Sequence, residues 1–448
     1  MQILNKQLWL MLLGLLLSIQ ESKAQEILEL EEAINIALEN NYDIRLEKYN
    51  VQIQSNNVSR AVAGQMPRVE FTAGYEYGYS DAEIVTRGQG PEGTNPPLEL
   101  DGTSQDISFK NQVTVPIFTG FAGKYRYKQL ESSRTMSEVQ LAAVVEQSLA
   151  STVTSYLQVA RFQSRLHILV ENIAQSQDRL ERVTIDTQYG AANSILRLQA
   201  EVNLNNDSAI YRNDVLNYDN SKRDLNLLLG LSDNTNFTVQ ENIMLVENMD
   251  YAELENAMLI ANKQLLLSNQ LIDQATYDVK ISESSLFPTI QGYANMSYLD
   301  SEDEASFLQN NTVFGPNVGV NLSLPIFTGG AQKIQRQNAK VSLEQQRLSR
   351  ANTEAQLKKE LQNAFAQYEN NRAQLRIEQA NLETFETNYT KSKEDFGYGL
   401  IDSSDLRQAQ INLANAKNRI NDLIYNVKQS EIRLLQLSGQ LQTRNEQL

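Results

Sequence analysis

The chain has 448 residues, a formal charge of −16, one histidine, one tryptophan and no cysteine. Without cysteine there is no disulfide and no thioether-linked lipid, and the lone His167 has no second His or Cys to join it around a metal. The acidic balance argues against nucleic acid, which is bound by setting Lys and Arg against phosphates.

Lys6, the apolar run from Leu8 to Ile19 and the small residues Ser22 and Ala24 before Gln25 predict a secretory signal peptide over residues 1–24. That run is too short to span a bilayer as a helix, and no later segment reaches about 18 uninterrupted apolar residues. Leu30 to Met66 reads as a helix. From Arg68 the period changes to two: Val69, Phe71, Ala73, Tyr75, Tyr77 and Tyr79 share one face, which predicts strands over about 68–80 and, by Ile107, Phe109, Val113, Val115 and Ile117, about 107–118. Asp81 to Gln105, rich in Gly and Pro, is expected to be a loop.

A helix over about 123–188 follows, near 100 Å at about 1.5 Å per residue. Leu149, Val153, Tyr156 and Ala160 make one apolar stripe on it. Val159, Phe162, Leu166, Leu169, Ile173, Leu180 and Val183 make a second, so two neighbours are expected. After Tyr189-Gly190 the pattern predicts a return helix over about 194–229, an interruption over 231–250 and a helix from Ala252 to Ser285. Strands over about 289–299 and about 313–326 flank the acidic loop Asp300 to Asn311, whose Glu302-Asp303-Glu304 reads as a solvated tip in preference to a calcium site. A long helix over about 330–396, a return helix over about 403–438 and a short tail complete the chain.

The order of elements occurs twice. VTVPIFTG at Val113–Gly120 is rewritten as LSLPIFTG at Leu322–Gly329, and Tyr189-Gly190 recurs as Tyr398-Gly399 at the same offset of 209 residues. Upstream the offset is 221, pairing Asn41 with Asn262, Leu46 with Leu267 and Pro67 with Pro288. Two structural repeats, 25–230 and 251–448, are thus separated by an equatorial segment, 231–250, near which both ends of the chain are expected to fall. At each junction the proline is expected to end the strand ladder for want of an N–H (Pro116, Pro325), and the glycine to turn the backbone into the helix (Gly120, Gly329), with Phe118 and Phe327 at a membrane interface. Long strands, alternating faces and aromatic belts match transmembrane β-strands. Four strands cannot close a barrel and about eight already fill the interior with side chains, so a conducting pore needs at least three chains.

LEEAINIALENNYDIRL from Leu30, MPRVEFTAGY from Met66, both PIFTG junctions, TQYG at Thr187 and FGYGLIDSSDLRQAQINLANAK from Phe396 together resemble the TolC-like outer membrane efflux protein family, over essentially the whole mature chain. The resemblance implies a membrane α+β fold of two repeats, each a β-hairpin with long helices. It implies a homotrimer whose twelve-stranded barrel in outer membrane lipid continues into a twelve-helix periplasmic tunnel. It also implies a periplasmic membrane fusion adaptor and an inner membrane pump of RND, ABC or MFS type as partners, and no cofactor. By that resemblance the tunnel tip holds Tyr189, Gly190, Tyr398 and Gly399, and Asp405 matches a constriction aspartate; Gln408 stands at another such position. Leu196 and Arg197 mark a first-repeat turn without the aspartate of many relatives, and Tyr42 replaces the usual proline after the double Asn. Asp402 is a second acid for the pore or, equally, the N-cap of the return helix.

An enzyme is not indicated: there is no nucleophile elbow, metal cluster or phosphate loop, and Gly397-Tyr398-Gly399 lies between helices instead of after a strand. The rival reading is an extended coiled-coil structural or adhesin protein of the cell envelope, which explains the helices but not the two amphipathic hairpins.

Overall fold

The computed structural model describes residues 26–84, 98–190, 192–232, 237–246, 248–306 and 309–442. The expected signal peptide and the centre of the Asp81–Gln105 loop lie outside them. The order is β1 (Glu26–Leu28), α1 (Leu30–Asn40), α2 (Tyr42–Asn57), β2 (Arg68–Ile84), β3 (Leu98–Thr119), α3 (Ala122–Gln188) and α4 (Ser194–Leu229). Then come β4 (Phe237–Val239), α5 (Tyr251–Ala261), α6 (Lys263–Ser284), β5 (Thr289–Asp303), β6 (Asn310–Ser323), α7 (Ala331–Gly397) and α8 (Ser403–Ser438). The residues pack as two units: one takes the described chain up to Tyr49, Val139–Leu266 and Asn352 onward, the other Asn50–Glu138 and Leu267–Ala351. Each draws on both repeats, so 25–230 and 251–448 mark duplicated sequence and not packing units.

In the second unit β2, β3, β5 and β6 form one antiparallel sheet in that order. Residues directly opposite one another share a face. Val69, Val113, Ala294 and Val318 stand in one row across all four strands, and Ala73, Phe109, Tyr298 and Phe314 in another. The Phe109 ring lies 6.4 Å from Phe71 and 6.2 Å from Tyr298. The opposite face carries the row Glu70, Gln112, Asn295 and Asn317. Register thus fuses four alternating sequences into one apolar and one polar surface.

The strands differ from their expected limits. β2 continues to Ile84 and β3 begins at Leu98, because ladder pairing such as Glu83 opposite Glu99 needs no apolar alternation. β5 likewise runs on to Asp303, while β6 occupies 310–323 in place of 313–326. The acidic run fastens strands together: the Glu304 carboxylate accepts hydrogen bonds from the Thr103 N–H at 2.9 Å and from its hydroxyl at 3.0 Å. Pro116 does not end the ladder. It sits inside β3 opposite Gln291, and the register shifts between Pro116 and Phe118 so that Ile117 is extra. Such a bulge leaves local N–H positions unpaired, which is where a proline is tolerated within a sheet. Pro325 lies beyond the end of β6.

Gly120 and Gly329 both adopt the left-handed conformation, with φ of 61° and 62°. The next residue does too: Gly330 at 85° in the second repeat, but Phe121 at 70° in the first. Its ring packs edge-on against Phe118 at 5.1 Å and Phe287 at 5.5 Å.

In the first unit the apolar stripe of α3 is buried as Leu149, Val153, Tyr156 and Ala160. It joins one core with α1, α4, β1, β4 and Tyr425 of α8. β1 and β4 pair in parallel. Gln163 pairs with the β4 backbone, accepting from the Val239 N–H at 3.2 Å and donating to its carbonyl at 2.9 Å. The Tyr156 hydroxyl donates to the Leu28 carbonyl at 2.8 Å. Lys428 and Glu431 form a fully buried ion pair at 3.2 Å; the ammonium donates to the Met244 carbonyl and the carboxylate accepts from the Val246 N–H. Burial pushes the Glu431 carboxyl up, and Lys428 partly offsets this.

Two helices expected to be continuous are broken. Leu30–Met66 is interrupted at Asn41 and its helix stops at Asn57; Ala252–Ser285 is interrupted at Asn262. The cause is the same in both repeats. The Asn262 side-chain carbonyl accepts from the N–H groups of Gln264 (2.9 Å) and Leu265 (3.3 Å), starting α6, while its amide donates to the Leu437 carbonyl at 2.9 Å. Asn41 does this with Asp43, Ile44 and Leu228. One side chain therefore caps one helix start and fixes it against the end of another. Asn262→Ala is expected to cost about 1–2 kcal/mol in denaturant unfolding, whereas Asn40→Ala on an exposed position should stay within about 0.5 kcal/mol.

Candidate functional site

The two helical turns in the first unit are built alike from their glycines. Gly399, at φ 71°, ends α7; its N–H donates to the Phe396 carbonyl at 3.1 Å and that of Leu400 to the Asp395 carbonyl at 2.9 Å, a Schellman motif. Gly190, at φ 75°, ends α3, and its N–H donates to the Thr187 carbonyl. Both turns leave aromatic rings in the open, Tyr189 at 84% and Tyr398 at 81% exposure. The return helices then start on caps. Asn193 accepts from the Ile195 N–H at 3.0 Å, and Asp402 accepts from the N–H groups of Ser404 (2.7 Å) and Asp405 (3.0 Å). Asp402 is therefore an N-cap. Asp405, in the first turn of α8, is exposed, as is Gln408 beyond it. The cap and the helix N-terminus both favour negative charge there.

Behind this exposed acid layer lies a buried polar cluster that the sequence reading did not identify. The Asp207 carboxylate on α4 receives a two-pronged contact from Arg407 on α8, at 2.8 Å and 2.6 Å, and accepts from the Ser176 hydroxyl of α3 at 2.6 Å. Arg179 of α3 donates to Gln410 and to Ser176, and Gln410 donates to the Asn172 carbonyl at 3.0 Å. Asp207, Arg179 and Gln410 are all buried. Arg407 holds the carboxylate directly, while Arg179 reaches it only through the Ser176 hydroxyl; burial, with Arg407 adding to it, pushes Arg179 down to about 10. A signal was present: the α3 stripe Leu169, Ile173, Leu180, Val183 skips the intervening heptad position, which is Ser176. Nearer the turn, Arg182 lies over the Phe396 ring at 5.3 Å. Between the first turns of α4 and α8 a groove of about 450 Å³ is lined by Ile195, Leu198, Val202, Ser404, Arg407 and Gln408 among others.

The junction residues Pro116, Gly120, Pro325 and Gly329 belong to the other unit and shape the sheet ends described above. Among the described residues no set of three or more His, Cys, Asp or Glu could hold a metal ion, and no helix is long and apolar enough to cross a membrane. His167 stands exposed, 3.4 Å from the Glu241 carboxylate.

The profile of the outer membrane efflux protein family matches residues 33–231 and 254–440. The chain belongs to that family. The efflux protein is 21% identical to the proteases secretion protein PrtF of Dickeya chrysanthemi, over 97% of this chain and 92% of PrtF. It is 20% identical to the alkaline protease secretion protein AprF of Pseudomonas aeruginosa, over 92% of this chain and 86% of AprF. Its fold resembles the Campylobacter jejuni CmeC outer membrane channel, with a TM-score of 0.72 at 18% identity over 94% and 90% of the two chains. Vibrio cholerae VceC follows with 0.70 at 15% identity over 92% and 96%. It is an outer membrane channel protein of TolC-like fold and not an enzyme, and the coiled-coil adhesin reading falls.

The buried cluster sets a measurable expectation. Asp207→Asn leaves Arg179 and Arg407 facing each other without a counter-charge, which should cost about 3–5 kcal/mol. Hydrogen exchange in α4 and α8 around positions 200–214 and 403–414 should accelerate accordingly. Replacing Asp207, Arg179 and Arg407 together with apolar residues of similar volume should restore most of the protection.

Proposed function

We propose that three copies of this efflux protein close a twelve-stranded barrel in the outer membrane, continued by a twelve-helix periplasmic tunnel. On this reading it is the exit duct for cargo handed over by a periplasmic adaptor and an inner membrane pump of the RND, ABC or MFS type. The carrying observation is the sheet: one apolar face four strands wide, with Val318 83% and Val320 68% exposed, and β2 and β6 each lacking a partner on one edge among the described residues. In lipid an unpaired edge leaves backbone groups unsatisfied, so the strands must find further strands until the ring closes. Lipid takes the apolar face and the lumen the polar one. The names of PrtF and AprF favour polypeptide cargo, and secretion is therefore the first activity to test.

Detergent-solubilised protein should measure as a trimer, and a stable monomer would sink the proposal. Val320→Arg places a charge on the lipid face and should cost insertion about 2–4 kcal/mol near the midplane. Asn321→Arg, on the lumen face, should leave trimer yield unchanged; equal losses would mean the faces are exchanged.

The tip completes the proposal. Three copies of exposed Asp405 converging on the axis, with the turns of Tyr189-Gly190 and Tyr398-Gly399 around them, make a ring of carboxylates that attracts cations and repels anions. Asp402 contributes mainly as a cap. Asp405→Asn should reduce the cation preference of the reconstituted channel and its block by multivalent cations from the periplasmic side. Asp402→Asn should change either property less. Single-channel recordings with both unaltered in the Asp405 variant would remove that residue from the constriction.

A further inference from the structure

The polar face of the sheet can be followed row by row to the end remote from the helices. Glu70, Gln112, Asn295 and Asn317 make one row, and Glu76, Asp106, Ser301 and Asn311 another further out. Beyond it Ser104 stands between Gly78 and Asp303, and Gly102 stands opposite Ser80. No register shift interrupts β2 against β3, so position 102 looks the same way as Gln112, toward the polar face.

At that place the chain leaving β5 crosses the polar face. A Cβ on Gly102 would overlap the Glu304 Cβ and stand 3.1 Å from the Glu304 backbone carbon. The missing side chain at 102 is what admits the crossing. Glu304 is then clasped to the next residue of β3. Its N–H donates to the Thr103 carbonyl at 3.1 Å, and its carboxylate accepts from the Thr103 N–H and hydroxyl, so one residue meets both backbone groups of Thr103 as a strand partner would. The turn is also closed from its own side. The Ala305 N–H donates to the Asp303 carboxylate at 3.0 Å, that of Ser306 to the Asp303 carbonyl at 3.2 Å, and that of Asp303 to the Gln309 carbonyl at 2.8 Å. Ala305 is buried.

We propose that the start of the β5–β6 turn stands in the outer mouth of the barrel and limits the width of what can leave, with Glu304 as the residue that holds it there. In the proposed ring the polar face lines the lumen, so a backbone that crosses this face at Gly102 leans inward, once per chain. Pairing of β3 with β5 is already complete from Ser104–Asp303 to Thr119–Thr289. The clasp is therefore not needed to join the two hairpins, and its separate effect is to fix which way the turn leans. The cargo such a mouth favours is slender in cross-section: a small molecule or an extended polypeptide passes, whereas a folded domain does not. Glu304 is on this view a determinant of cargo width at the exit, at the opposite end of the molecule from Asp405.

This constriction rests on the barrel reading, and the two fail separately. The native chain has no cysteine, so Ser108→Cys places a single thiol on the polar face, about 20 Å inward of Gly102 at about 3.3 Å per residue. Intact cells carrying the full-length protein are treated from outside with a small maleimide and with one bearing a polyethylene glycol chain. The small reagent should label every variant alike. The bulky one should label the native turn slowly and Glu304→Ala at least about fivefold faster, because the hydrogen bonds to its carboxylate are lost. Gly102→Val, which drives Glu304 off the polar face, should act as Glu304→Ala does, whereas Glu304→Gln keeps an acceptor for Thr103 and should stay near native. Thr312→Ala breaks the bond from its hydroxyl to Asp300 in the same hairpin but outside the clasp, and should leave the rate unchanged. Fast bulky labelling of the native turn, or no acceleration in Glu304→Ala, overturns the constriction and leaves the barrel standing. Equal acceleration in Thr312→Ala overturns the role of the clasp. A thiol at 108 that resists even the small reagent removes the polar face from the lumen and overturns both readings. If Gly102→Val does not assemble, the two Glu304 variants decide.

Discussion

Backbone polar groups that cannot reach water govern this protein. A strand in hydrocarbon must hand every N–H and C=O to another strand, and among the described residues β2 and β6 each stand at an edge of the four-stranded sheet. Its side chains are distributed to suit: apolar rows on one face, amide and hydroxyl rows on the other, and the acidic Glu302–Glu304 run drawn back onto β3 at the strand ends. The helices beside these edges, α2 before β2 and α7 after β6, satisfy their backbone groups within themselves and carry no such requirement.

Much of this was legible because it depends on period and repetition. The change from heptad stripes to strict alternation at Arg68, the two PIFTG junctions and the glycines after Tyr189 and Tyr398 place strands, junctions and turns. What was not legible depended on partners distant in sequence. Glu83 and Glu99 carry no alternation, yet pairing with each other extends β2 and β3 well past their apolar segments. The breaks at Asn41 and Asn262 come from single side chains that meet Leu228 and Leu437 only after folding. Pro116 read as a stop because its lack of an N–H is a local fact, whereas the bulge at Ile117 that accommodates it arises from pairing with β5.

The tip shows the same division. Asp402 has the sequence position of a cap and is one. Asp207, Arg179 and Arg407 come from three helices, and nothing near any of them in sequence announces the others. Their one local sign is the polar gap at Ser176 in an otherwise apolar stripe. Burying Arg407 on the Asp207 carboxylate, with Arg179 joined to it through Ser176, is costly in desolvation, and the hydrogen bonds of the cluster tie α3, α4 and α8 together.

The two strand-to-helix junctions, alike in sequence, are mechanically unlike. Phe121 holds a left-handed backbone that costs a residue with a Cβ about 1–2 kcal/mol, and its edge-on contacts with Phe118 and Phe287 are each worth about 0.5–1.5 kcal/mol in return. Gly330 adopts the same backbone with no Cβ to object, and no atom lies where one would be. The first joint is therefore braced by aromatic packing, whereas the second is held by hydrogen bonds such as that from the Gln332 amide to the Ser285 carbonyl. In the proposed ring of three copies, aromatic-braced and glycine joints would alternate around the rim, so the six junctions would repeat with threefold symmetry.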